Sequence, residues 1–183
     1  MRSIAWPIIL GLVGAAPAQE TPEFPKPGKE HAFLKQFEGT WDAQCRVLGG
    51  DKDDSEFLES RGREIATVGY GDFWLVLDFT GEMHQKSFEG RGTIGYDPVR
   101  KKYVLTWFDS LSPRLTTAEG DADPSRKTLT VQARGIDPVS KDPVQQKMVF
   151  QIQDPDRHTL TFYMSGAEGK ERKAMEIVYT RRK

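Results

Sequence analysis

Runs of alternating polar and apolar residues, separated by Asp-Pro dipeptides, constrain the fold of this chain more than any other feature. Residues 40–47 show the alternation most clearly, because every odd position is apolar or small and every even position is polar. A period of two is typical of an antiparallel strand with one buried face. Asp accepts hydrogen bonds from nearby backbone amides, and Pro presets the φ angle of a turn. The dipeptide recurs among the later runs, at Asp97-Pro98, Asp123-Pro124, Asp137-Pro138, Asp142-Pro143 and Asp154-Pro155.

The pattern predicts about ten strands and one short helix. The helix is expected at residues 31–37, where apolar side chains recur at helical spacing before Gly39. No later segment has a helical pattern long enough for a crossover between parallel strands, which excludes parallel α/β folds. We expect the strands at about residues 40–47, 56–68, 73–80, 86–96, 102–110, 114–119, 128–134, 144–153, 158–164 and 173–180.

The expected architecture is all-β, an antiparallel closed β-barrel of about ten strands with a short helix before the first strand. An open sheet of this size would curl or split, and closure removes the exposed edge strands. Short, evenly spaced strands also favour a barrel. A β-sandwich is the alternative that the alternation leaves open.

The first 18 residues have the features of a secretory signal peptide. Arg2 precedes a short apolar run, and residues 16–18 form an A-x-A cleavage site. The run is too short to span a bilayer, so no integral membrane segment is expected after cleavage. We expect an exported protein, periplasmic or extracellular. Residues 19–30 are interpreted as a flexible proline-rich arm and residues 31–183 as a single barrel domain.

Composition argues against several classes of partner and cofactor. The formal net charge is −1 and the basic residues are scattered, so a nucleic acid is not an expected partner. Cys45 is the single cysteine, and its place in the first strand predicts a small buried core residue. The three histidines lie in separate elements without metal-ligand spacing, so no metal or other cofactor is expected. Some ten-stranded barrels hold haem through one histidine, for which His158 is the alternative candidate.

Residues 37–41, Phe-Glu-Gly-Thr-Trp, resemble the start of the lipocalin and fatty-acid-binding barrels, where a short helix leads into Gly-x-Trp on the first strand. In lipocalins that Trp packs across the closed end of the barrel, and an Arg near the end of the last strand lies over it. The resemblance implies that Trp41 closes one end of this barrel. It also implies that Arg181 or Arg182 stacks on the indole.

Several other segments resemble an uncharacterised bacterial family, domain of unknown function 1579. They are residues 89–98 (EGRGTIGYDP), 102–104 (KYV), 107–110 (WFDS) and 135–138 (GIDP). Members of that family are thought to share the lipocalin-like barrel, and no activity is agreed for them. The resemblance therefore supports the fold and implies no function.

The fifth expected strand is the best candidate for a ligand site. Tyr103, Trp107 and Asp109 share one face, and an inward placement would give an aromatic wall that ends in a carboxylate. The alternative is that Trp107 is ordinary core and that Asp109 caps the following turn through Ser110 and Ser112.

The fourth expected strand carries Gly90 and Gly92 on the same face as Tyr96. Glycine removes side chains from that face of the barrel. The pair therefore predicts either a tight bend in the strand or room for a ligand inside.

Further residues complete the expected ligand-binding set: Tyr96, Phe162 and Met164 on the walls, and Arg61 and Glu176, with Asp109, as polar anchors. An inward Arg61 would need a carboxylate partner or an anionic ligand, because an unpaired buried charge is costly. Glu176 and Asp109 are the candidate partners. An outward Arg61 is an ordinary solvated charge.

These observations favour a protein that binds a small, mostly apolar molecule in the barrel. The chain has no Gly-x-Ser-x-Gly elbow and no Cys-His signature, so an enzyme is the less favoured interpretation. One alternative is an isomerase or hydrolase with Asp109 or Glu176 as general base, which predicts a carboxylate with a raised pKa inside the barrel. The other is an envelope interaction module with a filled barrel and an exposed apolar patch.

Overall fold

A computed structural model describes residues 24–48, 57–83, 85–136, 141–166 and 169–183. The expected signal peptide of residues 1–18, the start of the expected arm and the Asp137-Pro138 turn lie outside these residues. Residues 24–28 have no regular secondary structure, and the first helix begins at Lys29, two residues before the expected start of the domain.

Within the described residues, ten strands follow one helix. The helix α1 spans Lys29–Leu34 and continues as a 3₁₀ turn over Lys35–Phe37. The strands are β1 (Gly39–Leu48), β2 (Phe57–Gly69), β3 (Trp74–Met83), β4 (Lys86–Asp97), β5 (Lys102–Asp109), β6 (Ser112–Ala122), β7 (Thr128–Ile136), β8 (Pro143–Asp154), β9 (Arg157–Ser165) and β10 (Glu171–Arg181). Each strand begins and ends within three residues of its expected position.

The strands close into one antiparallel barrel. Each strand pairs with the next in chain order, and β10 pairs with β1 from Trp41↔Arg181 to Val47↔Met175. The predicted closed barrel is therefore confirmed. The β-sandwich alternative is wrong, because a single continuous sheet returns to its first strand.

Alternation decides which side chains of β1 enter the core. Trp41, Ala43 and Cys45 are at most 2% exposed, whereas the polar residues between them face solvent. Removing these apolar surfaces from water stabilises the fold by ~25 cal/mol per Å2. Burial also raises the pKa of the Cys45 thiol to about 11. The prediction of a buried core cysteine is confirmed.

Asp-Pro dipeptides form turns by the mechanism that the sequence indicates. Oδ1 of Asp97 accepts two backbone amides, at 2.9 and 3.0 Å. The Oδ1 atoms of Asp123 and Asp154 accept backbone amides in the same way, at 2.8 to 2.9 Å. The dipeptide before β8 differs, because Pro143 is the first residue of that strand.

The end of the barrel next to α1 is closed by a cluster around Trp41. The indole Nε1 donates a hydrogen bond to the carbonyl of Phe37 at 2.9 Å, in a buried position. The guanidinium carbon of Arg181 lies over the indole, 4.0 Å from its centroid. Arg182 takes no part in this stacking, since its side chain lies 3.5 Å from Asp42 instead.

The glycines of β4 make room for the side chain of Trp107. A Cβ atom at Gly90 would overlap Cζ2 of the indole, and one at Gly92 would lie 2.8 Å from Cε3. The room that these glycines leave inside the barrel is therefore occupied by the side chain of Trp107 and is not free for a ligand.

Large apolar side chains fill the half of the barrel next to α1. Leu75, Ile94, Leu129 and Val131 are at most 1% exposed and belong to one continuous core. This packed half determines where the hollow part of the barrel begins.

Candidate functional site

A cavity of about 570 Å3 occupies the half of the barrel that faces away from α1. All ten strands contribute to its wall, which is mainly apolar and includes Leu77, Phe79, Phe88, Met148, Leu160 and Ile177. This volume lies in the range of sites that hold small molecules in other proteins.

The cavity opens at a rim of exposed residues. Leu111, Leu115 and Ile136 line it and are 47%, 61% and 50% exposed, so they mark where the cavity meets solvent. Two cations, Arg114 and Arg134, lie on the same rim. The rim therefore combines apolar side chains with positive charge.

The floor of the cavity carries a buried carboxyl group and a buried phenol. Glu64 on β2 and Tyr179 on β10 line the cavity, whereas Ala66 and Arg181, the next inward positions towards α1, do not. Glu64 is 5% exposed and Tyr179 is 2% exposed. The hydroxyl group of Tyr179 donates a hydrogen bond to Oε2 of Glu64 at 3.2 Å.

Burial changes the acidity of both groups on the floor. It raises the pKa of Glu64 to about 7, and the hydrogen bond from Tyr179 opposes this only in part. The pKa of Tyr179 is raised well above its ordinary value, first by burial and then by the neighbouring carboxyl group of Glu64. Both the neutral and the charged form of Glu64 are therefore populated near neutral pH.

His158 lies beneath this floor, enclosed by aromatic rings. Its ring stacks on Tyr179 with 4.4 Å between centroids, and the rings of Trp41 and Phe37 lie nearly perpendicular to it, with centroids at 4.3 and 5.3 Å. Burial lowers the pKa of His158 to about 3, and Arg181 adds to the shift. Because His158 does not line the cavity, its ring is not placed to ligate a haem bound there.

Trp107 and Asp109 lie on the cavity wall, together with Phe162 and Met164. The indole Nε1 of Trp107 donates a hydrogen bond to Oδ2 of Asp109 at 3.1 Å. Oδ1 of Asp109 accepts the amide of Leu111 at 2.9 Å, so this carboxylate also caps the turn at the rim. Trp107 and Asp109 therefore fit both interpretations of β5. Both residues line the cavity, and Asp109 also caps the following turn, through the amide of Leu111.

Tyr96 and Tyr103 point into the barrel but lie below the floor of the cavity. Tyr103 is 3% exposed and its hydroxyl group donates to the carbonyl of Glu30 at 3.2 Å. The ring of Tyr96 packs edge-on against Tyr103, with 5.1 Å between centroids. Neither residue lines the cavity, which differs from their expected place on its walls.

Arg61 and Glu176 point away from the cavity. Arg61 is exposed on β2, because its neighbour Gly62 takes the inward face that leads to Glu64. Glu176 lies outside because Ile177 is buried, and its carboxylate pairs with Lys173 at 2.7 Å. This placement corrects the expected inward orientation of both residues as polar anchors.

Sequence reasoning missed the two residues of the floor. On β2, Glu64 lies between Gly62 and Ala66 on a face of mainly small residues. A single carboxylate on such a face is the sequence signal that could have identified Glu64 as a site residue. Tyr179 alternates with outward residues near the end of the last strand and could have been assigned to the core. Glu64 and Tyr179 come into contact because β10 pairs with β1, and no local sequence pattern indicates that pairing.

The described residues give no indication of a metal site. No group of three or more His, Cys, Asp or Glu side chains in that part of the chain could hold a metal ion. Within the same residues, no helix has the length and hydropathy needed to cross a membrane.

Comparisons with known proteins agree with this barrel. None of the curated proteins matches the chain. The crystal structure of Rv2717c from M. tuberculosis is similar, with a TM-score of 0.59 and 11% identity over 85% of this chain and 99% of that one. A redesigned β-barrel gives a TM-score of 0.40 and 10% identity, over 82% of this chain and 95% of its own, which is too distant to carry an argument. The model of a family described as "Protein of unknown function (DUF1579)" matches residues 26–181, so the chain belongs to that family.

Proposed function

We propose that this protein binds a small, mostly apolar molecule inside its barrel. The observation that carries the proposal is the cavity of about 570 Å3, with apolar walls, one closed end and one exposed rim. An apolar ligand that enters it is stabilised by ~25 cal/mol for each Å2 of its surface removed from water. A filled barrel, the basis of the interaction-module alternative, would need side chains in this space.

Binding is tested with a neutral apolar dye, N-phenyl-1-naphthylamine, whose emission rises when it leaves water. We expect saturable binding to the wild-type protein. Ala133→Trp places a large side chain in the cavity, because Ala133 lines it, and should weaken binding at least tenfold. Gln132→Trp is the matched control, since Gln132 is the next residue of β7 and points to solvent.

Native mass spectrometry of the protein purified without detergent is the complementary measurement. A reproducible adduct would give the mass of the natural ligand. Absence of dye binding, or equal binding by Ala133→Trp and Gln132→Trp, contradicts the proposal.

An enzyme that uses the same cavity is a second candidate, favoured by one observation. A raised carboxyl pKa inside the barrel is what that alternative predicts, and Glu64 has this property. Glu64 is then the general base of an isomerase or a hydrolase. Turnover of a panel of apolar esters and unsaturated ketones, lost in Glu64→Gln and kept in Glu176→Gln, would support it.

We also propose that the protein is exported through the signal in residues 1–18 and acts in the periplasm or outside the cell. The support is the apolar run after Arg2 and the A-x-A site at residues 16–18. The mass of the protein recovered from the cell envelope and the medium tests this. A chain that begins at Gln19 is expected, and a full-length chain retained in the cytoplasm contradicts the proposal.

A further inference from the structure

The floor of the cavity differs in chemistry from its walls. Glu64 and Tyr179 place a carboxyl group and a hydroxyl group at the inner end of a mainly apolar space. The described cations of the cavity, Arg114 and Arg134, lie at the opposite end, on the rim. A ligand that fills the cavity therefore meets Glu64 and Tyr179 at its inner end, and at its outer end it meets the two arginines together with the carboxylate of Asp109.

The hydrogen bond within the pair determines what this floor offers to a ligand. The hydroxyl proton of Tyr179 is directed to Oε2 of Glu64, so the lone pairs of the hydroxyl oxygen stay available. The carboxylate of Glu64 has a second oxygen, and both of these atoms are hydrogen-bond acceptors. When Glu64 is ionised, the floor thus presents acceptors only, and a ligand atom that satisfies them must be a donor.

A ligand without a donor is penalised at this position. An alkyl end that covers Glu64 and Tyr179 removes them from water and gives no hydrogen bond in return. A carboxylate end is disfavoured further, because it would lie against the carboxyl group of Glu64. An ammonium group has three donors and a positive charge, and a hydroxyl group has one donor.

We propose that the floor formed by Glu64 and Tyr179 selects an amphiphile whose buried end donates hydrogen bonds, a primary ammonium or a hydroxyl group, over a fatty acid of the same length. The proposal rests on the proposed function and names the ligand class of the same cavity. The donor end contacts Glu64 and Tyr179, the alkyl chain lies along the apolar walls, and the outer end reaches the rim. A fatty acid enters only with its chain inward and its carboxylate at Arg114 and Arg134.

The test compares dodecylamine, dodecan-1-ol and dodecanoic acid as competitors of N-phenyl-1-naphthylamine at pH 8. A hydrogen bond to a buried charged group changes an affinity by about tenfold or more. We expect the amine and the alcohol to displace the dye from the wild-type protein at concentrations at least tenfold below that of the acid.

Three variants separate the floor from the rest of the barrel. Glu64→Gln keeps the shape of the side chain and an acceptor but loses the charge, so the amine should lose about tenfold in affinity while the acid does not weaken. Tyr179→Phe removes one acceptor, so the affinities for the amine and the alcohol should fall several-fold relative to the affinity for the acid. Glu176→Gln, on the outer face of β10, should leave all three affinities unchanged. Thermal unfolding establishes that each variant is folded.

An acid that competes as well as the amine, or a Glu64→Gln variant that keeps the full preference for the amine, overturns the inference. If Glu64→Gln does not fold, a Tyr179→Phe variant that keeps the full preference for the amine and the alcohol over the acid overturns the inference as well. In these outcomes the dye still binds, so the proposed function survives. Absence of any binding to the wild-type protein overturns both.

Discussion

Gly39 and Arg181 are in such close contact that any side chain at position 39 would have to displace the guanidinium group of Arg181. A Cβ atom there would overlap Nη1 of Arg181, which donates a hydrogen bond to the carbonyl of Glu38 at 2.8 Å. The φ angle of Gly39 is +143°, a conformation that other residues rarely adopt. The glycine of the Gly-x-Trp motif thus leaves space for the arginine that covers the tryptophan.

Gly39→Ala should therefore destabilise the barrel. The new methyl group has to displace Arg181 from Trp41, and the backbone is strained as well, so we expect a loss of about 2 to 3 kcal/mol. Urea denaturation monitored by circular dichroism measures it. Gly69→Ala is the matched control, because a Cβ atom at Gly69 meets no atom within 4 Å. Equal stability of the two variants would contradict the role given to this contact.

Gly90→Ala and Gly92→Ala should differ in severity. At Gly90 the new Cβ meets the indole of Trp107, which can move towards the cavity, so we expect a shift in tryptophan emission with a small loss of stability. At Gly92 the new Cβ also lies 2.7 Å from the backbone carbonyl of Thr106, which cannot move alone. A larger loss, of about 2 kcal/mol, is expected there. The reverse order in urea denaturation would show that the indole of Trp107 cannot move towards the cavity.

Glu64 should make the stability of the protein fall as the pH rises. The pKa of its carboxyl group is about 7 in the folded state and 4.5 at its ordinary value. Between these two values the folded state keeps a proton that the unfolded state has lost, so folding becomes less favourable with rising pH. The total effect is about 3 kcal/mol at pH 8.

Glu64→Gln removes this titration. We expect the variant to gain stability relative to the wild-type protein between pH 5 and pH 8 in urea denaturation, with Glu176→Gln as the control. A difference in stability between Glu64→Gln and the wild-type protein that is the same at both pH values would show that Glu64 ionises normally.

His158 should have the opposite effect at acidic pH. Burial lowers the pKa of this ring to about 3 from 6.5, so the stability present above pH 6.5 is lost progressively as the pH falls. The part due to His158 is about 2 kcal/mol between pH 7 and pH 5. His158→Phe keeps an aromatic ring against Tyr179 and should lose less stability than the wild-type protein over that interval. Parallel pH profiles of the two proteins would contradict the assignment.

Local alternation is enough to predict most of the fold. On β1, the side chains of Trp41, Ala43 and Cys45 have to share a face, and one buried face is what an antiparallel barrel requires. Asp97 and Asp123 fix two turns through their own side chains, which is also a local property. Strand positions and turns could therefore be predicted within a few residues.

The site was harder to predict because its depth along the barrel axis is not a local property. Alternation placed Tyr103 and Trp107 on the inner face of β5, but only the register between strands puts Trp107 on the cavity wall and Tyr103 below the floor. Glu64 lies level with Trp41 on β1, a pairing that the sequence of β2 does not show. Charged residues on both faces of β2 leave its inward face undetermined by the pattern, so the sequence predicts an inward Arg61 where the structure places Glu64.

The packed half and the hollow half of the barrel use the same ten strands for different purposes. Substitutions near α1 remove contacts in a filled core, so their main effect should be on unfolding. Those near the rim border a space already empty of side chains, so residues such as Leu115 and Thr116 can change in size or polarity at small energetic cost. A barrel divided in this way can acquire a new ligand preference while the half that keeps it folded stays unchanged.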